Sequence, residues 1–207
     1  MSGDPLAAVR RLRQAPSPPP PVGETCELCG EPVGPEHNHL VDLERRNLMC
    51  ACRLCWMLFA PEGAGGGHFK AVPERYVAFP ELRLTRAEWD SLQIPVSVAF
   101  FFVNSSIERV AAFYPGPAGA TESLLPLDTW DELAIGHAEL ATLLPDVEAF
   151  LVRAERGAGE AECFLVPIDA CYELVGRLRM LWRGFDGGRE AHQALDDFFA
   201  EVRARAS

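Results

Sequence analysis

Between residues 85 and 206 the apolar positions change period several times, and each change marks an element. Thr85-Arg86-Ala87-Glu88 has the form of a capping box, in which each side chain satisfies an amide left free at a helix start. Trp89 and Leu92 follow at helical spacing until Pro95, so a helix is expected over 85–93. Val98 to Val103 is a continuous apolar and aromatic run, Asn104-Ser105-Ser106 is a turn signal, and Arg109 to Tyr114 resumes apolar residues. That pattern predicts a hairpin with at least one well-buried strand. Pro115 to Ser123, rich in glycine and small polar groups, reads as a tight connecting loop. Thr129 to Glu132 has the form of a second helix cap, and Val147 to Glu155 and Glu162 to Val166 flank Gly157-Ala158-Gly159 as a second hairpin.

A long helix starting at Asp169 places Cys171, Leu174, Val175, Leu178, Leu181 and Trp182 on one face, and Gly184 ends it. The last helix repeats apolar residues at Ala191, Leu195, Phe198, Phe199 and Val202. Two terminal helices on a mostly antiparallel sheet predict an α+β domain.

Residues 23–60 follow a different rule, because there cysteine spacing replaces hydrophobic period. Five of the seven cysteines fall between Cys26 and Cys55. Cys26-Glu27-Leu28-Cys29-Gly30 is a knuckle: two thiolates three residues apart converge on one ion, and the glycine lets the backbone turn. Cys52-Arg53-Leu54-Cys55 offers the second pair, and the 22 residues between Cys29 and Cys52 match the spacing of paired zinc knuckles. A helix starting near Cys55 would add its free amides to the thiolates. The expected ligands are Cys26, Cys29, Cys52 and Cys55, with Cys50, His37 and His39 as substitutes for a thiolate. Zinc is the expected metal, since closed tetrathiolate sites are usually structural and a module this short needs a staple. Iron fits the same tetrahedron. The module is expected to be treble-clef or zinc-ribbon-like.

Composition narrows the function. The chain has 207 residues, 48% hydrophobic content and a net charge of -11. The module alone carries six acids against three arginines. Nucleic-acid phosphate and anionic lipid both need clustered cations, so neither is an expected partner. No run approaches the ~18 apolar residues of a membrane span. Arg10-Arg11 is followed by a proline run, not by an apolar core, so an export signal is not expected and the cytoplasm is, where reduced thiols suit metal ligation. The expected division is a disordered Pro-rich tail over 1–22, the Cys-rich module over 23–60, a Gly-rich hinge over 61–67 and the α+β domain over 68–207. The hinge stretch GAGGGHFK lacks the Gly-Lys-Ser/Thr order of a phosphate-binding loop.

Catalytic signals are missing from the pattern. There is no GxSxG elbow, no HExxH and no dinucleotide fingerprint, Cys163 has no evident histidine partner, and His137 and His192 stand alone. Cys171 reads as a small core residue. A non-enzymatic protein is expected.

Two resemblances add to this. CELCG, His37-Asn38-His39, Asn47-Leu48 and Cys52 to Cys55 together resemble a treble-clef HNH nuclease, although the gap from His39 to Asn47 is short and the residues after Cys55 are apolar. IPVSVAFFFVNSS, AFYPGPAGATES and VPIDACYELVGRLRMLWRGFDGG resemble an uncharacterised actinobacterial family encoded beside high-affinity nickel-iron hydrogenases, over most of residues 23–206. That resemblance implies an accessory role with hydrogenase subunits or maturation factors as protein partners. The rival readings are a rubredoxin-like iron electron carrier and, behind it, a nuclease. Leu48, Met49, Trp56, Met57, Leu58 and Phe59 exceed what so small a module buries alone, so part of that set is expected to pack on the main domain or on a partner.

Overall fold

In this computed structural model, the residues described are 23–82, 84–123, 130, 137–154, 161–184 and 187–206. The expected tail, the Gly157-Ala158-Gly159 turn and, except for Trp130, the cap at Thr129 to Glu132 lie outside them.

The described residues form two antiparallel sheets. The smaller one joins β1 (Asn38–Asp42), β2 (Asn47–Ala51) and β3 (Phe69–Ala71) in the order β2-β1-β3. Asp42 closes the β1–β2 turn by accepting the Glu44 and Arg45 amides at 3.0 and 2.9 Å, the local bonding that makes aspartate a turn former. A short helix, α1 (Arg53–Phe59), follows β2 directly and precedes β3. Its start is two residues earlier than expected, because Cys52 is the N-cap.

The glycine stretch expected as a hinge instead packs against α1. Gly65 has φ 60°, and a Cβ there would lie 2.5 Å from the Phe59 ring, so only glycine fits. Phe59 in turn meets Phe69 edge to face at 5.1 Å. The small sheet therefore runs to Ala71, past the expected module limit at residue 60.

The larger sheet contains β4 (Val77–Ala78), β5 (Val98–Asn104), β6 (Arg109–Gly116), β7 (Gly119–Ser123), β8 (Glu148–Ala154) and β9 (Ala161–Pro167), in the order β4-β9-β8-β5-β6-β7. α2 (Arg86–Ser91) starts at the expected capping box, with both reciprocal bonds present. α3 (Ile168–Leu181) and α4 (Gly188–Arg205) complete the expected α+β arrangement.

The central strands are continuous apolar runs because both faces of the sheet are covered. Phe100, Leu151, Phe164 and Val166 face α3 and α4, where they meet Leu174, Leu178, Phe198 and Phe199. Phe101, Phe150, Val152 and Leu165 face the other way, onto Leu84, Trp89, Leu92 and Trp130. Cys171 is fully buried in the first of these cores, as expected.

The segment from Pro115 to Ser123 is a hairpin, not a loop. β6 continues to Gly116 and pairs with β7 across Pro117-Ala118, with Gly116 opposite Gly119. Its apolar pattern is missing because β7 is an edge strand whose middle residues are exposed. Pro115 lies beyond Phe113, the last β6 residue in register with β5, so its missing N–H breaks no bond on that side.

The two sheets share a seam. Val41 and Leu48 pack into the α3–α4 core, and the Trp56 indole Nε1 donates to the Val72 carbonyl at 2.9 Å. Lys70 reaches the Asp146 carboxylate at 2.7 Å, and Arg75 forms two bonds to Glu148 at 2.8 and 2.7 Å.

Candidate metal centre

The first knuckle is built by its backbone. Gly30 donates to the Cys26 carbonyl at 2.8 Å and adopts φ 77°, while the Cys26 amide donates to the Glu31 carbonyl at 2.8 Å. Glu27 ties the knuckle to β2: its amide donates to the Cys50 carbonyl at 2.9 Å, and its carboxylate accepts the Cys50 amide at 2.8 Å. The second pair is set by α1. As N-cap, Cys52 holds its sulfur where the Cys55 amide donates to it at 3.4 Å. Knuckle, hairpin and cysteine-bearing helix thus follow one another in the chain.

Cys26, Cys29, Cys52 and Cys55 lie with all four sulfurs within 4.8 Å of one another, and the Cys29 and Cys52 sulfurs are 3.7 Å apart. Cys26 and Cys55 are buried beside Leu40, Met49 and Ala51, whereas Cys29 is exposed. A tetrahedral ion with metal–sulfur bonds of ~2.3 Å fits this arrangement.

The thiols are electrostatically unequal. Burial penalises the Cys26 thiolate, yet hydrogen bonds from the backbones of Cys52, Cys29 and Leu28 outweigh it and bring the thiol down to about 6. Burial, reinforced by hydrogen bonds with Cys29, Cys52 and Cys26, pushes Cys55 up to about 12. At Cys29 the Glu31 backbone and a bond with Cys55 lower the thiol, but bonds with Cys26 and Cys52 and slight desolvation raise it overall. A dication would hold all four cysteines as thiolates with release of protons. The cluster is compatible with metal binding, and its residues leave the choice between zinc and iron open.

The remaining candidates form a second group. His37, His39 and Cys50 each bring one ligand atom within 4.8 Å of the other two. β1–β2 pairing explains the separation. His39 stands opposite Cys50 in the register, and His37 is two residues before His39, so the three share one face. Leu40, Met49 and Ala51 occupy the opposite face, toward the four thiols. Sequence reasoning treated His37, His39 and Cys50 as substitutes at one site because it counted ligands without assigning strand faces. It also read Asp169 only as a helix start, whereas its carboxylate accepts a hydrogen bond from His39 Nδ1 at 2.8 Å.

Elsewhere, Cys163 is buried, and desolvation pushes its thiol up to about 12, which makes it a poor nucleophile. His192 bonds the Gly188 carbonyl one turn earlier on α4 at 2.7 Å. Among the described residues no helix is long and apolar enough to cross a membrane.

A family model matches residues 25–206, from the start of the first knuckle to the end of α4. The chain belongs to DUF5947, a family of unknown function. The match takes in both sheets, so DUF5947 membership spans the cysteine cluster and the α+β fold together. No curated protein and no solved structure matches the chain.

Proposed function

We propose that this DUF5947 member is a non-enzymatic, zinc-stapled accessory protein of the cytoplasm that docks on components of a nickel-iron hydrogenase through its metal module. The observation that carries the docking role is the outer face of α1. Leu54, Met57 and Leu58 are 75%, 55% and 69% exposed, one turn from the buried sulfur of Cys55. A metal staple that fixes a short helix while leaving its apolar side chains in water suits a surface kept for a partner. Zinc is the metal of this reading because a closed four-sulfur site next to a small core acts as a fold-holding centre. The hydrogenase assignment follows from the resemblance carried by IPVSVAFFFVNSS, AFYPGPAGATES and VPIDACYELVGRLRMLWRGFDGG.

Trp56 was part of the expected docking set, but its indole is committed to Val72 and its ring lies under the Arg53 guanidinium at 4.5 Å. The informative variant is therefore Leu54→Ser/Leu58→Ser, since neither side chain is buried. It is expected to stay folded and metal-loaded while losing co-purification with hydrogenase components. Deleting the gene is expected to lower hydrogenase activity, and normal activity in the deletion strain would reject the partner assignment.

One observation favours an iron electron carrier as a second reading: Cys29 exposes a site sulfur to solvent, where an electron could enter. Absorbance separates the two, since a ferric tetrathiolate is red and zinc is colourless.

A further inference from the structure

We infer that His37, His39 and Cys50 form a second metal site, separate from the four-thiol centre, which takes a divalent ion of the zinc class and leaves its fourth coordination position to an external ligand. The inference rests on the four-thiol reading in that one module carries both sites, with Glu27 tying the first knuckle to Cys50.

Both rings are prepared as ligands. His37 Nδ1 donates to the Gly34 carbonyl at 2.9 Å, and His39 Nδ1 donates to Asp169 Oδ2 at 2.8 Å. With Nδ1 protonated in each ring, Nε2 carries the free lone pair. The carboxylate–histidine arrangement at Asp169 is the one that orients metal-bound imidazoles and raises their basicity. Asp169 is itself fixed, since its other carboxylate oxygen accepts the Ala170 amide at 2.8 Å.

The observation pointing to a missing ligand is His37 Nε2. The His37 side chain is only 7% exposed, yet this nitrogen is buried with no hydrogen-bond partner. A buried acceptor left unpaired is costly, and native structures rarely tolerate one. Cys50 belongs to the same trio but makes no hydrogen bond to that nitrogen. An ion would engage it, and ligand atoms within 4.8 Å need only small side-chain rotations to reach metal bonds of ~2.0–2.3 Å. Two imidazoles and one thiolate favour zinc over magnesium or calcium, and three protein ligands are the number found where a fourth position stays open.

The test is zinc content per chain in the full-length protein, purified with zinc in excess and then freed of loosely held ion. Wild type is expected to hold two, and Cys50→Ser and His37→Gln one each with the module still folded. Cobalt replacing the second ion should give a spectrum with a single sulfur-to-cobalt band set that vanishes in Cys50→Ser. Asp169→Asn should keep two ions at saturation but weaken one of them ~10–100-fold, a change that loss of a purely structural contact would not confine to one ion. One zinc in the wild type that persists in Cys50→Ser and His37→Gln overturns the inference, as do two that persist in both ligand variants. Failure of the four-thiol reading has a different signature, an unchanged ion count in Cys26→Ser.

Discussion

Cys26→Ser is expected to unfold residues 23–71 while the six-stranded sheet stays folded. The core of the small module is five buried residues, Cys26, Leu40, Met49, Ala51 and Cys55, and two of these are ligands of the proposed ion. So few side chains cannot offset the chain entropy of ordering three strands and a helix, and a bound metal would supply the difference. Binding energies of ~10 kcal/mol or more are typical of such sites, and where the unfolded chain lacks the site they become folding energy. The larger sheet has its own cores on both faces and does not share this dependence. Limited proteolysis or amide exchange reads the outcome by region. Protection of residues 23–71 equal to wild type in Cys26→Ser would reject a structural role for the ion.

The second large effect is expected at Arg75. Glu148 is fully buried at the start of β8, where its carboxylate accepts two Arg75 nitrogens and the Leu144 amide at 2.9 Å. Arg75 also donates to the Thr142 carbonyl at 3.0 Å, so one guanidinium secures the segment between the sheets. Arg75→Met removes the counter-charge and leaves the carboxylate in the core. Breaking a buried pair this way costs ~3–5 kcal/mol, and the low end applies because the Arg75 side chain is 44% exposed and partly solvated already. Urea denaturation should show this loss, with about half or more of it recovered in Arg75→Met/Glu148→Leu, which removes the stranded charge. A double variant no more stable than Arg75→Met would mean that packing, and not the buried charge, sets the cost.

Legibility followed the kind of force involved. Elements made by local chemistry were readable: the Thr85 capping box, the Cys26 knuckle and the apolar runs of β5 and β8 all announce themselves within a few residues. The four-thiol grouping was also readable, because CxxC spacing encodes convergence directly. What escaped were pairings decided by partners far along the chain. β3 is three residues that become a strand only against β1, and β7 is an exposed edge with no apolar alternation. His39 and Asp169 are 130 residues apart. The separation of His37, His39 and Cys50 from the thiol cluster was legible in principle, through the two-residue period of a strand, once His39 and Cys50 were set opposite each other.

Lys70 is the chain's single lysine, and it sits on β3 with its ammonium bonded to Asp146 and the Pro145 carbonyl. Asp146 itself adopts φ 72° and binds Ser105 through both backbone and hydroxyl, so the lysine closes a network that spans the two sheets. Any reagent that reacts with lysine amines therefore has one side-chain target here, and that target is engaged whenever the sheets are together. Because the Lys70 side chain is 37% exposed, its labelling rate reports how firmly the Asp146 ion pair holds the ammonium, readable by mass in a crude mixture.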